Sequence, residues 1–298
     1  MFEGFERRRI DVGGIGINLR FGGSGPALLL LHGYPQTHVM WHKIAPRLAE
    51  RFTVVCPDLR GYGDSDKPES GTPDSEPGHA AYSKRAMAAD QAAVMTALGF
   101  ERFSVVGHDR GARVTHRLLL DHGTRIDKAA VLDIAPTLDM YQRTDRAFAE
   151  AYYHWFFLIQ PYDLPERLIG GDPDFYLEKK IGALGRLGGS KVGGCFTPEA
   201  LAEYKRCFRD PATIHATCED YRAAAGIDLE HDRAARDRKI APPLLVLWGE
   251  LGVIERSYDV LGLWSERAEQ VSGGALPCGH FLAEEAPEET LQALLAFL

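Results

Sequence analysis

No stretch of this chain is apolar for long enough to span a bilayer. The best candidates, Ala241–Trp248 and Tyr152–Ile159, have the size of one strand or half a helix. A basic tail is missing too. Acidic residues number 42 against 34 basic ones, a net charge of −8, so nucleic-acid binding would lack its electrostatic term. Met1–Arg9 is charged and holds no apolar signal core, so secretion is not expected. Cysteine is sparse: Cys56, Cys195, Cys207, Cys218 and Cys278 are odd in number, scattered and without paired metal spacing. Free thiols in a reducing cytoplasm fit that usage. There is no internal repeat and no low-complexity tract. What remains is 298 residues, 45% hydrophobic and 26% charged, a balance that excludes a disordered chain, a collagen and a coiled coil.

Several short apolar runs carry the architecture. Ala27–Leu31, Phe52–Cys56, Phe103–Val106, Ala129–Leu132 and Leu244–Trp248 are unbroken rather than alternating, as strands covered on both faces should be. Arg8–Phe21, with Gly13-Gly14 as its turn, predicts an opening hairpin. Between the runs lie helical stretches. Met87, Val94, Met95 and Leu98 share one face, Ser83 can cap the start and Gly99 can end it. Alternation of this kind predicts a mostly parallel sheet with helices on both faces. Asp64–His79, rich in Pro, Gly, Ser and acid, reads as a surface loop. After Pro136 the rhythm breaks. From about Leu138 to Arg238 no core strand is expected, yet seven of the eleven tyrosines and six of the fourteen phenylalanines lie there. We expect a helical insertion whose aromatics either form a small core of their own or face a cleft. The predicted division is 1–137 and 239–298 for the core and 138–238 for the insertion. Asp228–Lys239, dense in charge, reads as a solvated return connection.

The most specific chemical signal is Val105-Val106-Gly107-His108-Asp109-Arg110-Gly111-Ala112. It places one residue between small neighbours, after an apolar strand and before a helix, as a nucleophile elbow does. The raised residue is Asp109. A carboxylate attacks saturated carbon by displacement, leaving an alkyl ester. Taken alone, the pentapeptide also fits an aspartate that merely caps a helix. Three further pieces add weight. His280, in Cys278-Gly279-His280-Phe281, follows the nucleophile in the chain order expected of a catalytic base. Asp133 closes the run Ala129–Leu132, at the strand end where open sheets bind ligands, and can orient His280. Glu250, in Gly249-Glu250-Leu251, is a weaker candidate for that acid. Leu31-His32-Gly33-Tyr34-Pro35 ends a strand and offers the Tyr34 N–H, which with the Arg110 N–H would make an oxyanion hole.

These residues give the chain a resemblance to the α/β-hydrolase family and, more narrowly, to the haloacetate (fluoroacetate) dehalogenases. Its carriers are His32-Gly33-Tyr34-Pro35-Gln36-Thr37-His38, Gly107-His108-Asp109-Arg110-Gly111-Ala112-Arg113 and Leu132-Asp133-Ile134. Tyr153-His154-Trp155, Cys218-Glu219-Asp220-Tyr221-Arg222 and Gly279-His280-Phe281 complete it, so that it spans nearly the whole chain. The elbow alone is shared with haloalkane dehalogenases and epoxide hydrolases. The resemblance implies an α/β-hydrolase fold with a helical cap, a homodimer, and a two-step reaction through an aspartyl ester. It also implies that His154, Trp155 and Tyr221 line a halide site, although aromatic packing would equally place them inside. Family members often carry a tryptophan on the cap wall; Tyr176–Val192 has none, only Leu184 and Leu187.

Arg110 and Arg113 have a physical argument of their own. Both lie in the first turn after the elbow, where cations oppose the helix dipole. Two guanidiniums exceed the single Asp109 carboxylate, so a substrate carboxylate is expected. No cofactor is implied, and no metal site: His38 and His42 have helical spacing but no acid between them and no evident third ligand. Gly61-Tyr62-Gly63 lacks the context of a dinucleotide site. The expected partner is a small haloacid, with neither nucleic acid nor membrane. The rival enzyme is an epoxide hydrolase, which needs two tyrosines from Tyr152, Tyr153, Tyr204 and Tyr221. A non-catalytic small-molecule receptor is the rival from another class, and an intact Asp–His–Asp set argues against it.

Overall fold

The unbroken apolar runs form the interior of one eight-stranded sheet. A computed structural model describes residues 1–70, 79–187 and 194–298, the side chains of 183–187 excepted. In chain order the strands are β1 (Glu6–Asp11), β2 (Gly16–Gly23), β3 (Ala27–Leu31), β4 (Thr53–Pro57), β5 (Phe103–His108), β6 (Ile126–Leu132), β7 (Leu244–Gly249) and β8 (Val271–Leu276). Their order across the sheet is β1-β2-β4-β3-β5-β6-β7-β8. The β1–β2 hairpin and the β2–β4 pair are antiparallel; every other pair is parallel. All of β3, β4 and β7 is buried, which explains their lack of alternation. β1 and β8, at the two edges of the sheet, are the exposed strands.

Register is what builds the site. Leu31 pairs with Gly107, His108 with Leu132, and Leu132 with Leu247. The residues that follow these pairs therefore emerge side by side at the carboxyl edge. The strand order reverses between β3 and β5, the crevice where open α/β sheets bind ligands. Helix Lys84–Ala97, capped by the Ser83 side chain, packs against helix Arg110–His122, which in turn lies on β5 and β6.

Between β6 and β7 the described chain contains helices and no strand. Thr197 and Asp210 cap two of these helices with their side chains, each ahead of a proline that suits the first helical turn. The aromatics are divided. Phe148, Tyr152 and Trp155 pack on one another inside, while Tyr162 and Phe175 are exposed. Two local expectations need correction. The loop beginning at Asp64 is not all surface: Ser65 and Ser70 are buried, and Ser65 Oγ donates to the Asp58 carbonyl at 2.7 Å. Residues 71–78 of that loop lie outside the described residues. In the charge-dense return, Asp228 is buried because its carboxylate accepts the Lys84 N–H at 2.8 Å. Among the described residues no helix is long and apolar enough to cross a membrane.

Candidate active site

Asp109 sits at the turn from β5 into helix Arg110–His122 with φ +47° and ψ −111°, a conformation that costs a non-glycine residue on the order of 1–3 kcal/mol. Flanking glycines permit it. A Cβ on Gly107 would lie 2.4 Å from the Gly111 carbonyl, and one on Gly111 would lie 2.4 Å from the Leu31 carbonyl. The Asp109 side chain does not cap its helix. Instead Oδ1 accepts the Tyr34 N–H at 2.9 Å. Burial pushes the carboxyl upward, but His280, His108, Arg110 and Arg113 outweigh it and hold Asp109 below the usual range, as an anion.

His280 and Asp133 meet across 147 residues of sequence. His280 Nδ1 lies 2.6 Å from Asp133 Oδ2, and Asp133 Oδ1 accepts the Gly249 N–H at 3.0 Å. Burial would lower the His280 pKa; the Asp133 carboxylate, with help from Asp109, raises it instead. Glu250, the other acid considered for this role, is exposed. Behind the pair, the His108 ring lies 4.7 Å from His280, and its Nε2 donates to the His280 carbonyl at 2.8 Å. Burial and the neighbouring His280 push His108 down to about 3, so it is a neutral support.

The insertion closes over this edge. Arg110 donates from Nε and Nη2 to both carboxylate oxygens of Asp220, at 2.8 and 2.7 Å, and Lys84 also pairs with Asp220. This corrects the count of charges made from the sequence: Asp109 is not the only anion facing the arginines, and Arg110 has a buried counterion of its own. Arg113 differs. Its Nη1 donates to Thr137 Oγ1 at 2.9 Å and its Nη2 contacts Met140 Sδ at 3.3 Å. Among the described residues it makes no salt bridge. Burial and the nearby Arg110 push its pKa down, which marks an undercompensated cation.

Trp155 and Tyr221 lie beneath the guanidiniums. Arg110 Cζ stands 4.1 Å from the Tyr221 ring centre and Arg113 Cζ 4.7 Å from that of Trp155. Among the described residues, the buried donors here without a partner include Arg110 Nη1, Arg113 Nε, Trp155 Nε1 and Tyr221 Oη, and also Tyr141 Oη, whose ring lies 5.0 Å from that of Trp155. Buried donors are rarely left so. His154 joins them, its ring parallel to Tyr34 and edge-on to Tyr221 at 5.6 Å. Thus Asp109, His280, Asp133, Tyr34, Arg110, Arg113, His154, Trp155 and Tyr221 lie at this junction, and Glu250 does not. The side chains of Leu184 and Leu187 lie outside the described residues. Asp220 and Lys180 were missed as functional candidates. Asp220 stands inside the motif around Tyr221, but its partner Arg110 is 110 positions away and no local spacing announces it.

Comparison with known proteins agrees with this fold. A family model described as alpha/beta hydrolase fold matches residues 26–287. A fluoroacetate dehalogenase from Burkholderia sp is 50% identical over all of this chain and 95% of its own length. A soluble epoxide hydrolase from Corynebacterium sp. (strain C12) is 34% identical over 92% of this chain and 91% of its own. Among solved structures, an alpha/beta hydrolase from Nostoc sp PCC 7120 superposes with a TM-score of 0.95 at 62% identity, covering 100% of this chain and 99% of the other. The chain belongs to the α/β-hydrolase family and, within it, to the haloacetate dehalogenases.

Proposed function

We propose that the protein hydrolyses 2-haloacetates, fluoroacetate and chloroacetate among them, to glycolate and halide. The observation that carries this is that Arg110, Arg113, Trp155 and Tyr221, near an ionised Asp109, each keep a buried donor with no partner among the described residues. A substrate with a carboxylate at one end and a leaving halide at the other supplies acceptors for all of them. Arg113 Nε and Arg110 Nη1 take the carboxylate; Trp155, Tyr221 and His154 face the halide. Asp109 Oδ2, the oxygen not held by Tyr34, attacks C2. The carbon–halogen bond breaks and its electron pair leaves with the halide. Water then attacks the Asp109 ester carbonyl while His280, oriented by Asp133, takes its proton. The oxyanion forms on Oδ1 against the Tyr34 and Arg110 N–H groups. Collapse releases the glycolate alkoxide, which His280 protonates.

We take residues 138–238 as the cap that excludes water from this displacement. The protein is assigned to the cytoplasm, a reading supported by five free cysteines, four of them buried. A homodimer fits the exposed Tyr162, Leu164 and Leu168 of the insertion. Light scattering tests it.

One observation favours a second reading. Of the four tyrosines an epoxide hydrolase would draw on, Tyr204 donates to Glu284 at 2.6 Å and Tyr153 is 44% exposed. Tyr152 and Tyr221 remain buried and near Asp109, whose charge helps to hold both phenols protonated. Incubation with fluoroacetate, chloroacetate and styrene oxide separates the two. Halide release from the acids without diol from the epoxide is expected; diol without halide would overturn the proposal.

A further inference from the structure

Lys180 is 1% exposed, and its Nζ lies 2.6 Å from His154 Nδ1. Among the described residues it makes no salt bridge, and its Nζ lies 5.7 Å from the Tyr153 ring centre. Burying a lysine without a carboxylate is costly. The contact joins two helices of the insertion, Pro173–Leu187 and Tyr153–Phe157.

An ammonium has three donors and no acceptor. Opposite one, Nδ1 must be the nitrogen with the lone pair, so the ring proton sits on Nε2. Burial lowers the Lys180 pKa while Asp109 opposes that, and a neutral amine could instead accept from Nδ1–H. The surroundings decide between these. His154 Nε2 has no hydrogen-bond partner among the described residues, and its ring lies 5.6 Å from that of Tyr221, which in turn lies 6.4 Å from that of Trp155; the donors of both are free. A lone pair on Nε2 would repel an anion arriving there; an N–H attracts it. Burial holds the His154 ring well below its ordinary pKa, so its single proton must be placed correctly.

We propose that Lys180 is a positioning residue: through Nδ1 it fixes His154 as the Nε2–H tautomer, which donates to the departing halide. This rests on the halide role given to His154 above. Fluoride, the poorest leaving group and the strongest hydrogen-bond acceptor of the halides, should depend on that donor most.

Lys180→Met keeps the length and removes the donor; Lys180→Arg keeps a donor and a charge. Nitrogen NMR of ring-labelled histidine, with His154→Gln to assign the signal, reads the tautomer in resting enzyme. Wild type and Lys180→Arg should show Nε2–H, and Lys180→Met a mixture with Nδ1–H. In Lys180→Met, kcat on fluoroacetate should fall roughly 10- to 100-fold and kcat on bromoacetate less than about threefold, with little change in KM. An unchanged tautomer in Lys180→Met, or equal losses on both acids, overturns the proposal. Should Lys180→Met fail to fold, Nδ1–H in the wild type would overturn it alone. Wild type that frees halide from no haloacetate would overturn the halide role itself, while the NMR still decides the tautomer.

Discussion

At the sheet edge the reactive side chains already have their partners. Asp109 is held by the Tyr34 N–H, and His280 by Asp133, itself anchored on Gly249. On the insertion side the pattern is reversed. Among the described residues Trp155 Nε1 and Tyr221 Oη are unpartnered, as are one nitrogen each of Arg110 and Arg113 on the core helix that faces the insertion. The contrast separates two tasks. Groups that make and break covalent bonds are fixed by strand register before any ligand arrives. Groups that recognise the ligand are left with free donors, so binding energy is gained when an anion fills them.

Breaking the fixed side should have the largest effect. Asp109→Asn is nearly isosteric, so the fold should persist by circular dichroism while halide release falls by roughly four orders of magnitude or more. His280→Ala comes next. It should release one equivalent of halide and then stop, with the Asp109 ester visible by intact-protein mass spectrometry. Absence of that single burst would mean that His280 acts before the ester forms.

Breaking the recognising side should cost less and depend on the substrate. Arg113→Met removes a charge-assisted contact worth about 2–3 kcal/mol, or roughly two decades in kcat/KM on haloacetate. Haloacetamide, lacking the carboxylate, should lose far less. Parallel losses would assign Arg113 to the support of Asp109 and remove the argument for an acid substrate. Asp220 sharpens the same comparison, since it already pairs with Arg110. Asp220→Ala would leave buried Arg110 and Lys84 without that carboxylate, a loss of about 3–5 kcal/mol in stability by thermal or denaturant unfolding.

The smallest effect is on pH dependence. Asp133 raises the His280 pKa above its ordinary 6.5, and ester hydrolysis needs the neutral ring. Turnover should therefore fall as pH drops through that raised value. Asp133→Asn should move the acid limb to lower pH while reducing the plateau. The sign for stability is opposite: the His280–Asp133 pair stabilises the fold fully below the unfolded histidine pKa and fades as pH rises through the folded one. An acid limb unmoved in Asp133→Asn would assign it to another group.

The sequence yields the sheet edge far more readily than the insertion, for a physical reason. Parallel strands buried on both faces must be short apolar runs, and Asp109 and Asp133 stand directly after two of them. The glycines around Asp109 are local requirements of a tight turn. By contrast β8, with Gly273 and Gly274 on an exposed edge, carries no such signature. Nor do the insertion's polar contacts follow any period. Lys180 meets His154 through the packing of two helices, and Asp220 reaches Arg110 between insertion and core. Residue types alone do not reveal which side chains are already paired, so from the sequence both arginines face Asp109 alone.

Ester formation on Asp109 is the step on which the proposed dehalogenation depends most. A single turnover of chloroacetate in heavy-oxygen water, followed by mass spectrometry of the peptide containing Asp109, measures this directly. Label in the Asp109 carboxylate, with unlabelled glycolate from that first turnover, is the predicted result. Label in the first glycolate and none in Asp109 would mean that water attacks the substrate itself, contradicting the covalent mechanism.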